Sequence, residues 1–226
     1  MGSAAAFVRA NTRVRAVPFV PELRLHVADE IGELWQRLAL NLEDCAPPFW
    51  AFPWAGGQAL ARHVLDHRDL VGGLRVLDLG SGSGLVALAA AMAGATSVTA
   101  NDIDPHASAA IALNAEVNAV QVRVWLSDLL VADLGQEYDV VLAGDVWYDG
   151  DLTSRVLPWL DQASRRGVTV LVGDPGRTYA PKQGYASAAV YEVPVVASLE
   201  NGHIKRTMIM VHRPDRRQEA AGTAGP

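Results

Sequence analysis

Residues 139 to 149 read DVVLAGDVWYD, and the end of this stretch brings Asp145, Trp147 and Tyr148 together after a run of apolar and small residues. A carboxylate without a partner is costly to bury, so the role of this acid depends on what the rest of the chain places opposite this edge. VLDLGSGSG, residues 76 to 84, reads as a strand carrying Asp78 into a glycine turn that opens a helix. Such a turn brings backbone amides and a helix N-terminus close to a bound group. Asp102 in ANDIDP follows Gly84 by 18 residues, where a carboxylate can accept both hydroxyls of a ribose. Asp102 and Asp104 are also candidate caps for a helix starting at Pro105; the cap is assigned to Asp104, which leaves Asp102 for a ligand. Asp128 in LSDLL either reads an adenine edge, directly or through a neighbouring amide, or is a solvated loop acid. A dinucleotide fingerprint would place Leu85 at its third small position. The third glycine comes one residue earlier, at Gly84, which disfavours NAD.

The elements that position these acids follow from periodicity. From Leu74 onward short apolar strands alternate with helical segments: LRVLDLG, LVALAAAMAG, SVTAND, HASAAIALNAEVNA, VQVRVWL, YDVVLAG and GVTVLVG. Continuous apolar strands separated by helices imply an α/β, Rossmann-like parallel sheet covered on both faces. SAAVYEVPVV and HIKRTMIMVHR, joined by a turn at LENG, read as a closing antiparallel hairpin at one sheet edge. Asp78, Asp102 and Asp128 then end or follow three successive strands, on the edge where open α/β sheets bind ligands. Upstream, residues 26 to 43 are expected to form one amphipathic helix, with Val27, Ile31, Leu34, Trp35, Leu38 and Leu42 on its apolar face. A proline-rich loop, APPFWAFPW, precedes a helix expected from about Gly56 to His67. The domain boundaries expected are an N-terminal extension over 1–53 packed on the core, a main domain over 54–214, and a frayed tail over 215–226.

Composition narrows the classes. Half of the 226 residues are apolar and the net charge is −6 with only two lysines, so neither a disordered chain nor a nucleic-acid partner is expected. One cysteine, Cys45, excludes an internal disulfide and reads as a small buried thiol in a reducing compartment. The six histidines show no zinc spacing, and no metal is expected. No apolar run reaches the length of a membrane span. Arg9, Arg13 and Arg15 without an early acid faintly suggest a transit peptide, but the amphipathic repeat of one is missing. The expectation is a bacterial cytoplasm, with a mitochondrial matrix as the alternative. The oligomeric state is open, with a monomer expected.

In their order and spacing, VLDLGSGSG, ANDIDP, LSDLL and DVVLAGDVWYD resemble the class I S-adenosylmethionine-dependent methyltransferases. That resemblance implies a seven-stranded sheet whose last hairpin is antiparallel. It implies that Gly80, Ser81 and Gly82 line the methionine part of S-adenosylmethionine, that Asp78 meets its amino group, and that Asp102 holds the ribose. Asp128 and Leu129 would take the adenine, and Ile103 and Gly144 complete the implied cofactor contacts. S-adenosylhomocysteine would be the product. Asp145-Val-Trp-Tyr148 is similar to the Asp-x-x-Tyr signature of a group of protein methyltransferases acting mostly on lysine. Both prolines of the related Asn/Asp-Pro-Pro-Tyr signature are missing. PPFWAFPWAGGQALARHVLD, DVWYD, VGDPGR and PELRLH further resemble the lysine methyltransferases of the electron transfer flavoprotein β subunit, which implies that subunit as protein partner and Trp54 as a cofactor contact. NDIDPHASAAIALNAEVN also looks like ribosomal protein L11 methyltransferases, which keeps a ribosomal protein, or a broader set of proteins, as the alternative substrate.

On this resemblance Asp145 would hold the acceptor amine and accept its proton, directly or through water, with Tyr148 walling the channel. Trp147 either offers an aromatic surface to a lysine stem or packs in the core. Arg177 and Asp174 in GDPGR either touch a protein substrate or pair with each other. APPFWAFPW is a staple at a helix start or part of the acceptor channel, with Trp50 assigned to packing. Glu22, Arg24 and His26 share one strand face. A small-molecule methyltransferase is disfavoured because no lid domain is visible. A non-catalytic cofactor-binding module would tolerate loss of Asp145 or the glycine loop, and both are intact.

Overall fold

The computed structural model describes residues 3–40, 46–131 and 137–213. The chain opens with α1 (Ala4–Asn11), capped by Ser3, whose side chain accepts the amide of Ala6. A hairpin follows, β1 (Arg13–Val17) and β2 (Val20–Val27), then α2 (Ile31–Ala39), a single 3-10 turn at Phe49–Ala51, and α3 (Ala55–Asp66). The sheet is built from β3 (Arg75–Leu79), β4 (Ser97–Asp102), β5 (Arg123–Leu126), β6 (Val140–Gly144), β7 (Thr169–Asp174), β8 (Tyr185–Pro194) and β9 (Ile204–His212). The connecting helices are α4 (Leu85–Met92), α5 (Pro105–Val117), α6 (Gly150–Arg165) and the short α7 (Ala197–Glu200).

The strand order is β5-β4-β3-β6-β7-β9-β8. The first five are parallel, β9 runs antiparallel to β7, and β8 runs antiparallel to β9. This is the seven-stranded, mostly parallel α/β sheet with a closing hairpin read from the sequence. Because side chains alternate along a strand, each central strand supplies both layers. Val76, Val140, Leu142 and Leu171 join α3, α4 and α5 on one face, while Leu77, Val141, Ala143 and Val172 meet α6 on the other. That two-sided demand is why these strands read as unbroken apolar runs.

The N-terminal region departs from expectation. The predicted helix over 26–43 divides, because β2 continues through His26 and Val27 and helix begins only at Ile31. Trp35, assigned to the apolar face, is 43% exposed, while Leu34 and Leu38 carry the burial. Leu42 and Cys45, like the tail from 214, lie outside the described residues. The strand wins because Leu23 and Leu25 are wholly buried in the core and because α5 satisfies its backbone. Asn114 accepts the His26 amide at 2.7 Å, and Asn118 accepts the Arg24 amide at 2.9 Å and returns a bond to the Arg24 carbonyl at 2.6 Å. His26 is buried against Thr12 and does not share an outer face with Glu22 and Arg24. LENG also differs, since its first residues close α7 before the chain turns at Asn201 (φ 50°). No described helix is long and apolar enough to cross a membrane.

Asn114 is wholly buried and ties three parts together, since its amide nitrogen also donates to the Ser83 carbonyl in the glycine loop at 2.8 Å. Asn114→Ala strands a buried amide and a buried carbonyl, at about 1–3 kcal/mol each. Asn118→Ala, at a more exposed position, should cost less than half as much. Urea unfolding of both variants checks this; equal midpoints would show that the buried tie carries no special weight.

Candidate active site

At the carboxyl end of the sheet, where the strand order reverses between β3 and β6, a cavity of about 360 Å³ opens. One wall is the glycine turn between β3 and α4. Gly80, Gly82 and Gly84 have φ of 64°, 55° and 84°, a region open to glycine and strained for other residues. The turn is pinned by the Ser81 amide on the Asn101 carbonyl (2.8 Å) and by the Gly82 amide on Asp102 (2.8 Å).

The acids of this wall are held by backbone amides. Asp78 is 1% exposed and accepts from the Ser81 hydroxyl at 2.5 Å and the Ala87 amide at 3.0 Å. Burial lifts its carboxyl to about 7 despite those bonds, and Asp102 pushes in the same direction. Asp102 takes the amides of Gly82, Ile103 and Asp104 at 2.8, 2.8 and 3.0 Å, and burial raises it too. A carboxylate offers about four lone-pair positions, and these amides take three of those of Asp102. Asp104 caps α5 through the His106 amide at 2.7 Å. Asp128 lines the cavity while paired to Arg155 at 2.5 Å, with buried Leu129 beside it and Ile103, 70% exposed, across the mouth.

The opposite wall depends on a close approach of backbones. A Cβ on Gly173 would lie 2.2 Å from the Gly56 carbonyl oxygen, and one on Gly144 would lie 2.9 Å from the Gly57 Cα. The N-terminus of α3 therefore rests directly on the ends of β6 and β7. Its Gly57 amide donates to Asp145 at 3.0 Å, and its Ala55 amide donates to Glu200 at 2.8 Å. Carboxylates at a helix N-terminus gain from the helix dipole as well as from the bonds.

Asp145 is 8% exposed, with φ of 56°, and lines the cavity. It is not a free acid. Arg177 donates to its Oδ1 from two nitrogens, at 2.9 and 2.6 Å, and also reaches Glu200 at 3.2 Å. Burial raises Asp145 to about 6, Arg177 pulls it down, and Glu200 pushes it up. The expected alternative of an Arg177–Asp174 side-chain pair is not formed; Asp174 instead accepts the backbone amides of Gly176 and Arg177. The Arg177 guanidinium lies 5.7 Å from the centre of the Trp54 ring.

Trp54 and Tyr148 complete this wall, and Phe49 packs edge-on against both. Tyr148 is 48% exposed at the cavity mouth. Trp147 does not line the cavity and packs in the core. It is fully buried beneath the sheet against Tyr185, because the left-handed turn at Asp145 redirects the chain and sends successive residues to opposite sides. Trp50 is buried as packing and also borders the cavity. Glu200, Gly57 and Phe49 were not singled out from the sequence. LENG reads as turn chemistry, and nothing local signals that its acid reaches a helix start 145 residues away. Among the described residues no cluster of His, Cys, Asp or Glu could hold a metal ion.

Comparison with known proteins places this geometry. A family model described as ribosomal protein L11 methyltransferase (PrmA) matches residues 59–144. The electron transfer flavoprotein beta subunit lysine methyltransferase of Xenopus laevis is 39% identical over 173 residues, covering 76% of this chain and 70% of that protein. The human protein of the same name is 41% identical over 174 residues, covering 76% and 66%. The chain belongs to the electron transfer flavoprotein beta subunit lysine methyltransferase family. Within that family it is a methyltransferase, and its fold is shared with the Synechocystis magnesium protoporphyrin IX methyltransferase solved with bound SAM (TM-score 0.50, 21% identity, covering 79% of this chain and 89% of that one).

The helix–sheet contact in this family member is testable. Gly173→Ala places a methyl inside the Gly56 carbonyl contact and should destabilise the fold by about 3 kcal/mol. Thermal unfolding reads this directly, and a loss below about 1 kcal/mol would show that the start of α3 can move aside.

Proposed function

We propose that this methyltransferase moves a methyl group from S-adenosylmethionine to lysine side chains of the electron transfer flavoprotein β subunit. The observation that carries the proposal is that one cavity joins the glycine turn and Asp102 at one end to Asp145 and Tyr148 at the other. A nucleoside ligand and an acceptor side chain can therefore meet without crossing solvent. The choice of acceptor protein is supported by the names of relatives at 39–41% identity over three quarters of the chain.

The residues fit the donor. Asp78 is a buried acid lining the cavity and suits an ammonium group. Asp102 suits a ribose hydroxyl, and Ile103, Asp128 and Leu129 suit the base. Gly80, Ser81, Gly82, Gly144 and Trp54 shape the space between. When bound, S-adenosylmethionine supplies a methyl already activated on a sulfonium, so the protein's task is to align the acceptor and exclude water. Asp145 orients the acceptor amine through the lone-pair capacity that Arg177 and Gly57 leave. Tyr148 closes the mouth from the exposed side and offers a hydroxyl to the same amine. Packing against Phe49, Trp54 and Tyr148 desolvates the lysine, which lowers its pKa from the usual ~10.4.

A ribosomal protein is the second reading, supported by the PrmA match. That match ends at Gly144, so it spans the donor side and stops before Asp145, Tyr148 and Arg177.

Transfer of labelled methyl to purified electron transfer flavoprotein and to ribosomal proteins tests the substrate. Label is expected on the flavoprotein β subunit, and Asp145→Asn should reduce its rate on the order of 10²-fold with donor affinity unchanged. Label confined to ribosomal protein would replace the acceptor and keep the chemistry. Donor affinity has its own pH signature. Asp78 is half-protonated near its value of about 7, and a bound ammonium favours its ionised form. Calorimetric affinity for S-adenosylmethionine should therefore rise with pH, by up to roughly tenfold per unit below that value. In Asp78→Asn the dependence should flatten, and an equally steep slope there would remove Asp78 from the role.

A further inference from the structure

At the acceptor end of the cavity two carboxylates share one guanidinium. Arg177 holds Asp145 by two bonds and Glu200 by one. Glu200 is fixed from behind by the Ala55 amide, and its side chain is 2% exposed. Asp145 and Arg177 line the cavity, while Glu200 stands outside its lining. An amine entering this space therefore meets a carboxylate already occupied by a cation.

That arrangement has a chemical consequence. Methyl transfer needs the neutral amine with its lone pair free, and a lysine at neutral pH is almost wholly protonated. A buried carboxylate without a counter-charge would bind the ammonium form and raise its pKa; a nearby like charge lowers it. We propose that Arg177, positioned by Glu200, sets the charge of the acceptor site, so that Asp145 can orient the amine without trapping it as an ammonium. The inference rests on the lysine methyltransferase reading above. The proton released from the amine passes to bulk water, and Asp145 stays paired throughout.

The remaining groups around Arg177 fit this balance. Asp174, at the end of β7, adds a further acid, and its Oδ1 is occupied by two backbone amides. The amides of Ala55 and Gly57 bring the positive end of α3 to Glu200 and Asp145. The Trp54 ring faces the guanidinium, and Tyr148, on the rim, feels the charges of Asp102 and Asp149. Without Arg177, Asp145, Glu200 and Asp174 would stand together with little but the helix dipole to offset them.

The test is the pH dependence of single-turnover methyl transfer with S-adenosylmethionine and saturating electron transfer flavoprotein β subunit, which reports groups titrating in the complex. Arg177→Gln should move the pH of half-maximal rate to the alkaline side by about one unit or more, and Arg177→Lys should restore a profile close to the parent. Glu200→Gln removes the competing acid, leaves the guanidinium to Asp145, and should move the profile to the acid side. Removing the partner of a buried acid is strongly destabilising. If Arg177→Gln therefore fails to fold, the direction of the Glu200→Gln shift decides. Variants that lose rate equally at every pH, or a Glu200→Gln profile that stays in place or moves alkaline, would assign the network to structure and overturn the inference. Absence of transfer by the parent protein at any pH would overturn the lysine methyltransferase reading and this inference with it. Normal transfer with unmoved profiles overturns only the role of Arg177.

Discussion

The seating of one helix on the ends of two strands organises this molecule. At Gly56, Gly144 and Gly173 the backbones of α3, β6 and β7 approach more closely than any side chain would allow. The approach delivers two helix-terminal amides to Asp145 and Glu200, and these acids in turn hold Arg177. The same contact sets the wall of the cavity that Gly57, Gly144 and Asp145 line. An α3 displaced by one side chain would leave both acids short of an amide. The two acids would also lose the positive end of the dipole.

Charge is handled differently at the two ends of the cavity. At the end beside the glycine turn Asp78 and Asp102 are stabilised mainly by backbone amides and one hydroxyl, with no basic side chain bonded to either among the described residues. Burial pushes both toward protonation, so a cationic ligand that restores the ionised form gains binding strength there. At the other end Asp145 is paired with the Arg177 guanidinium. The difference suits a site where one partner arrives as a fixed cation and the other must surrender a proton. Asn114 ties β2 to the glycine loop, since one side chain accepts the His26 amide and donates to the Ser83 carbonyl.

Much of this was legible in the sequence, for identifiable reasons. Continuous apolar strands alternating with helices have few folds open to them, because both sheet faces must be covered. The glycine spacing, Asp104 before Pro105, and the acids ending successive strands are local signals whose geometry is set within a few residues. HVADEIGELWQRLAL carries helical periodicity from its first residue, so its pattern alone predicts a longer helix than α2. The strand through His26 and Val27 is held instead by Asn114 on α5 and by Asn118 at its end, 88 and 94 residues beyond the His26 and Arg24 amides they accept, which no local pattern contains.

By itself the sequence determined the sheet, its closing hairpin, the ligand-binding edge and the acids placed along it. These depend on side-chain alternation and backbone conformation, both written into short stretches. Only the tertiary structure decided which charges meet. Asp145, Arg177 and Glu200 come from the end of β6, the loop after β7 and the β8–β9 connection, and each alone reads as a candidate, an alternative or a turn. Their pairing depends on distances of a few ångströms between elements far apart in the chain. Burial then makes that pairing obligatory, because none of the three could be left uncompensated at this depth.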